Sequence, residues 1–190
     1  MIDIDLNAYF GLPDEQKQQI RQLILDDLEQ APKGLKQYYQ NCHNDVDEML
    51  RRMYRGYLGE LSILRHLQRL NPSQDWRFVD DKAGYYHLNY QHNSQPDLIN
   101  NCGITIEVKS YKFYNDIVYF NGYQTNIDSL WEGLFHNADN VIVYYNNKAV
   151  MFNYDYFKDN VSTEPDQLNK YKTIFKLNIS GLKQVDIISF

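Results

Sequence analysis

A mixed α/β fold, one sheet with helices on its faces, is predicted by three observations: a long stretch with apolar residues at helical spacing, a following set of short β-like runs separated by turn residues, and a return to helical spacing before further strands. The chain of 190 residues has the size of one ordinary domain, and no repeat, low-complexity tract or Pro/Gly/Ser-rich linker marks a boundary. A single domain over 1–190 is expected, with an N-terminal helical extension over about 1–44, a core over about 45–155 and a C-terminal extension over about 156–190.

The stretch after Pro13 reads as a helix to about residue 30, because Ile20, Leu23, Ile24 and Leu28 recur at helical spacing and Asp14 and Glu15 lie near its positive end. Pro32 and Gly34 then interrupt the pattern ahead of a short tyrosine-bearing stretch. A longer helix is expected from about Asp45 to Leu70, where Leu50, Met53, Tyr54, Tyr57, Leu61, Leu64 and Leu67 share one arc. Glu60 falls inside that arc, and a carboxylate on a core-facing stripe is costly unless a partner or a metal is near. After Asn71 and Pro72 come four β-like runs, Trp76–Asp80, Tyr85–Asn89, Asp97–Asn100 and Ile104–Ser110. A helix near Ile127–Phe135 follows, then strands Val141–Tyr145 and Ala149–Asn153 joined by Asn146, Asn147 and Lys148, and a last strand Thr173–Leu177.

Composition narrows the function. A net charge of -6 argues against indiscriminate coating of nucleic acid, which needs a surplus of Lys and Arg, although Arg51, Arg52, Arg55, Arg65 and Arg69 face only Glu60 over residues 51–69. No apolar run has the length of a membrane span and the N-terminus is acidic, so a cytoplasmic protein without a membrane partner is expected. Cys42 and Cys102 form no CxxC or Cys/His cluster and are expected to be reduced and inert. His43, His66, His87, His92 and His136 are scattered without HExxH spacing and read as surface or turn residues. Neither a GxSxG elbow nor a GxxxxGK[ST] loop occurs, so serine-hydrolase chemistry and a nucleotide cofactor are not expected.

Chemistry concentrates in Gln95–Ser110. Strict alternation puts Ile104, Ile106 and Val108 on one face of a strand and Thr105, Glu107 and Lys109 on the other. The turn-forming cluster Asn100, Asn101, Cys102 and Gly103 is short enough to fold Asp97 back beside Glu107. Two carboxylates and an ammonium group then converge, which suits phosphodiester hydrolysis: hard oxygen donors hold a divalent cation, Mg2+ being the natural one, and the lysine serves the attacking water.

Pro96-Asp97, nine intervening residues, then Glu107-Val108-Lys109 resembles the motif of the PD-(D/E)xK nuclease superfamily. Pro13-Asp14 and Pro165-Asp166 lack the second half of the pattern. The element order around the motif is similar to that superfamily's common core, loosely from about residue 45 to 146. The resemblance implies a restriction-endonuclease-like αβββαβ core with Asp97, Glu107 and Lys109 as catalytic residues. It also implies a metal set of Asp97, Glu107, Val108 and Glu60 for Mg2+, with Mn2+ able to substitute. Glu60, in Gly59-Glu60-Leu61, matches the acid that members often carry on the helix before the hairpin.

Compact type II restriction endonucleases look nearest in size and organisation, which implies double-stranded DNA as partner and a symmetric homodimer. The alternatives are a junction-resolving or repair nuclease of the same superfamily, or a catalytically silent nucleic-acid-binding protein on the same scaffold. Tyr111, Lys112 and Tyr114, just after the catalytic strand, are expected at the substrate backbone. The polar loop Asn89, Gln91, His92, Asn93 and Gln95 is placed to meet base edges.

Overall fold

The computed structural model describes residues 3–81, 83–88, 95–122, 126–166 and 172–186. In chain order the elements are β1 (Asp3–Asp5), α1 (Leu6–Gly11), α2 (Asp14–Gln30), α3 (Lys33–Asn41), α4 (Val46–Leu70), a 3-10 turn (Pro72–Gln74), β2 (Arg77–Phe78), β3 (Tyr85–His87), β4 (Leu98–Ile99) and β5 (Thr105–Ser110). Then follow β6 (Phe113–Tyr114), β7 (Ile117–Gly122), α5 (Ile127–Phe135), β8 (Asn140–Tyr145), β9 (Lys148–Asn153), α6 (Tyr154–Asn160), β10 (Val161–Pro165), β11 (Thr173–Asn178) and β12 (Val185–Asp186). They form two compact units, Met1–Leu58 with Asp81–Asn93, and Gly59–Asp80 with Ser94–Phe190, so the division falls inside α4.

In the first unit, α2 starts behind Pro13 with Asp14 and Glu15 in its first turn, where acids complement the helix dipole. Pro32 does not keep the chain from helix. It is the N-cap of α3 at φ −56°, a position where its missing N–H costs no hydrogen bond, so the tyrosine-bearing stretch behind it is helical. Asp45 starts α4, its Oδ1 accepting the backbone N–H groups of Asp47 at 2.8 Å and Glu48 at 3.2 Å. The run at Tyr85 does not join the mixed sheet. It pairs antiparallel with β1, Ile4 opposite Tyr86, and Asn89 lies outside the described residues. Ile24, Leu28, Met49, Leu50, Tyr9 and Tyr86 anchor this unit's core.

The second unit carries the mixed sheet. Its strand order is β12-β9-β8-β5-β4-β2, antiparallel throughout except for the parallel pair β5–β8, between which β6, β7 and α5 intervene in the chain. The mixed α/β class is therefore present. β8 and β9 turn through Asn146 and Asn147, both left-handed at φ 48° and 64°, the conformation a two-residue hairpin needs and asparagine tolerates. The run Thr173–Leu177 forms a strand, but in a second antiparallel sheet of order β10-β11-β7-β6.

Between these sheets' apolar residues, Phe120, Trp131, Phe135, Phe152 and Phe157 pack largely edge-to-face, Phe120 and Phe135 with centroids 5.3 Å apart. In the C-terminal half of α4, Ile63 and Leu64 are the most buried apolar positions, while Leu61 and Leu67 are half-buried, so the core face is rotated slightly from the expected arc. No helix among the described residues is long and apolar enough to cross a membrane.

Candidate metal and catalytic site

The site is built on the β4–β5 hairpin, whose turn is fixed by one side chain. Asn100 is buried, and its Oδ1 accepts the N–H of Cys102 at 3.0 Å and of Ile104 at 2.9 Å. Gly103 takes a left-handed φ of 82°, and its N–H closes the turn on the Asn100 carbonyl at 3.1 Å. The resulting register sets Leu98 opposite Ile106 and Ile99 opposite Thr105; continued by one pair, it brings Asp97 opposite Glu107.

Asp97 and Glu107 do come together. Asp97 Oδ2 accepts the backbone N–H of Val108 at 2.8 Å. Glu107 is fully buried at 0% exposure; its Oε1 forms an ion pair with the Lys109 ammonium and its Oε2 lies 3.2 Å from His136 Nδ1. Apart from that ion pair, Oε1 makes no hydrogen bond among the described residues. The side chain of Val108 is part of the core, so only its main chain could meet a cation.

Electrostatics bring Glu60 into the same group. Burial, reinforced by the charge of Asp97 and more weakly by Glu107, pushes the Glu60 carboxyl up to about 8, with Lys109 opposing. Burial and the neighbouring Glu107 raise Asp97 to about 6, against the pull of Lys109 and of the Val108 N–H. For Lys109, burial acts downward, but Glu107 and Asp97 outweigh it and the net shift is upward. Asp97, Glu107 and Glu60 thus disfavour one another's ionised forms, with Lys109 the ammonium group that opposes this among the described residues, and a hard cation would favour all three as carboxylates.

The donor chemistry fits a divalent cation of the Mg2+ type, since Glu60, Asp97 and Glu107 offer carboxylate oxygens. The present side-chain placement does not yet form a cage: among the described residues no three His, Cys, Asp or Glu side chains are gathered closely enough to hold an ion. With Glu107 engaged by Lys109 and His136, holding a cation requires its carboxylate, or that of Glu60, to rotate.

Two residues at the site were not among the sequence candidates. His136, expected as a surface or turn residue, does occupy a turn, the left-handed C-cap of α5 at φ 53°; there its Nδ1 lies 3.1 Å from the Gln95 carbonyl as well as near Glu107. The Glu107 contact raises its pKa in spite of burial. It also lines an open groove of about 490 Å³ with Ser129, Glu132, Gly133 and Asn137. Tyr144, opposite Ser110 on β8, senses the charges of Glu60 and Asp97, although burial is the main reason its phenol is raised. Its hydroxyl passes so close to Gly59 that a Cβ there would lie 1.8 Å away.

The expected substrate contacts separate. Lys112 and Tyr114 are exposed, Tyr114 to 68%. Tyr111 is half-buried, stacked edge-on against Phe120 with centroids 4.9 Å apart, so its ring serves the core. Arg51 and Arg52 both pair with Glu48 at 2.7 Å, which spends part of the local positive charge on the helix itself. Asn89, Gln91, His92 and Asn93 lie outside the described residues, whereas Gln95 is described and acts through its main-chain carbonyl. Comparisons with models of known families, with curated proteins and with solved structures find no match to this chain.

Proposed function

We propose that the protein is a Mg2+-dependent endodeoxyribonuclease on a restriction-endonuclease-like αβββαβ core. The observation that carries this reading is the buried meeting of Asp97 and Glu107 with an ammonium group, Lys109, on the hairpin that holds the motif, with Glu60 of α4 near enough for its carboxyl to feel the charge of Asp97. The order α4, β2, β4, β5, α5, β8, with β5 and β8 parallel, supports the same core.

In this reading Asp97, Glu107 and Glu60 hold the cation, with the main chain of Val108 as a further donor, and Mn2+ substitutes for Mg2+. When bound, the cation supplies Lewis-acid stabilisation of charge on the scissile phosphate. Lys109, kept as an ammonium by its two acidic neighbours, donates a hydrogen bond that orients the attacking water. Lys112 and Tyr114, exposed beyond the end of β5, meet the sugar-phosphate backbone.

Double-stranded DNA is the substrate, and a homodimer presenting two such sites cuts both strands, as a type II restriction endonuclease does. Incubating the protein with phage DNA and Mg2+, and separately with EDTA, tests this. Discrete Mg2+-dependent bands are expected; a smear points instead to a repair-type or non-specific nuclease, and cleavage confined to branched DNA to a junction resolvase. A second reading, a silent nucleic-acid-binding protein, is favoured by one feature, the engagement of both Glu107 oxygens by Lys109 and His136. It requires DNA that is bound and left intact.

A further inference from the structure

The nuclease reading leaves unexplained why a histidine projects from the end of α5 onto the buried carboxylate of Glu107. We infer that His136 is a positioning residue whose single Nδ1–H pins the Gln95 carbonyl and the Glu107 carboxylate to each other, and so sets the spacing of Asp97 and Glu107 for a divalent cation. The inference rests on the proposed metal site and deepens it.

The geometry dictates the proton's place. Nδ1 of His136 lies 3.1 Å from the Gln95 carbonyl oxygen and 3.2 Å from Glu107 Oε2. A carbonyl oxygen can only accept, so Nδ1 must be the donor whether the ring is neutral or charged, and the carboxylate shares the same proton. One N–H thus touches both sides of the hairpin: the chain leading into β4 and the acid on β5.

The link to Asp97 is stiff. Only Pro96 separates Gln95 from Asp97, and its ring fixes φ at Pro96 and restricts the residue before it to extended conformations. Fixing the Gln95 carbonyl therefore constrains where Asp97 stands. The histidine's own base is equally firm, because Leu130, Trp131 and Phe135 of α5 are buried in the aromatic core. By contrast, the other partner of Glu107, Lys109, sits on a long flexible side chain.

Two substitutions and one spectroscopic reading on the full-length chain decide the matter. His136→Ala removes the donor. His136→Asn keeps a side-chain N–H at a similar reach, and asparagine accepts the left-handed backbone that the cap demands. Mg2+ affinity is measured by titration calorimetry, and folding by thermal melting in EDTA. Nitrogen-15 spectra of the imidazole show which ring nitrogen carries the proton without any metal present.

The expected result is a protonated Nδ1 in the parent protein, Mg2+ binding at least about 10-fold weaker in His136→Ala, and recovery to within about 3-fold of the parent in His136→Asn. A residue that merely capped the helix would lower the melting temperature of His136→Ala in EDTA without weakening Mg2+ binding or requiring a proton on Nδ1. Undiminished Mg2+ affinity in His136→Ala, a folded His136→Asn as weak as His136→Ala, or an Nδ1 without its proton overturns the inference. Should His136→Ala fail to fold, His136→Asn and the spectra of the parent protein still decide it. If the parent protein binds no Mg2+, the nuclease reading falls, while the Nδ1 proton separately decides whether the pin exists.

Discussion

The carboxylate of Asp97 accepts the backbone N–H of Val108 at 2.8 Å, so the first acid of the motif is tied to the strand that carries the second acid and the lysine. This bond and the turn beneath it hold the hairpin as a unit. The hairpin is therefore sensitive to substitutions that touch neither a cation nor a substrate.

Asn100 is the first such position. Asn100→Ala leaves the N–H groups of Cys102 and Ile104 without their acceptor and is expected to cost on the order of 1–3 kcal/mol, read from urea unfolding. Asn100→Asp keeps the acceptor and should lose less. An Asn100→Ala variant as stable as the parent would show that the turn is held by Gly103 alone.

Gly59, on α4, is sensitive for a different reason. Alanine is the better helix former by about 1 kcal/mol, yet its Cβ would meet the Tyr144 hydroxyl at 1.8 Å, so the ring must move. Gly59→Ala is expected to destabilise the protein by a net of about 1–2 kcal/mol, and combination with Tyr144→Ala should make the added methyl group harmless. A thermal midpoint for Gly59→Ala equal to or above the parent's would contradict the close approach.

Much of this was legible in the sequence, and what was not has physical reasons. α5 was readable from end to end because Asn126 caps it and its apolar residues recur at helical spacing. The phase of β5 followed from strict alternation, which placed Glu107 beside Lys109. Pairing partners were less accessible. β3 pairs with β1 from the far N-terminus, and β7, an apolar strand absent from the sequence reading, finds its partner β11 only late in the chain; neither pairing leaves a trace in a local window. α6 is a helix of 7 residues, capped by Asn153, too short for periodicity to declare it. His136 lies 29 residues from Glu107 and reaches it only through the turn at the end of α5, so spacing could not have nominated it.

The first unit should show its own pH dependence. Tyr9 donates to Asp47 Oδ1, and Arg21 bonds both oxygens of the same carboxylate at 2.8 and 2.6 Å. The hydrogen bonds from Arg21 hold Asp47 below its usual value, so its contribution to stability is present above about pH 4 and is lost as pH falls through the lower folded value. Burial, then Asp47, raises Tyr9 from 10.0 to about 12, so its contribution is present below pH 10.0 and is lost as pH rises toward about 12. Melting temperatures across both limbs should be flatter on the acid side in Asp47→Asn and on the alkaline side in Tyr9→Phe. Unchanged slopes would remove this network from the stability of the unit.

Glu60 provides a prediction with the opposite sign for a carboxylate. Its pKa is raised by burial and Asp97, so in EDTA its contribution is fully present below about pH 4.5 and is lost as pH rises through about 8. Glu60→Gln should therefore melt higher than the parent above pH 8 in EDTA, with the gap closing toward pH 5. Mg2+ should raise the melting temperature of the parent more than that of the variant. Parallel melting curves at all pH values would leave Glu60 outside the acidic group.

Nicking of supercoiled plasmid in Mg2+ by the parent protein, Asp97→Ala, Glu107→Ala and Lys109→Ala tests the central claim most directly. The expected result is EDTA-sensitive nicking by the parent, none by the two acid variants, and a rate at least about 100-fold lower for Lys109→Ala with Mg2+ binding retained. Nicking at the parental rate by folded Asp97→Ala or Glu107→Ala would contradict it.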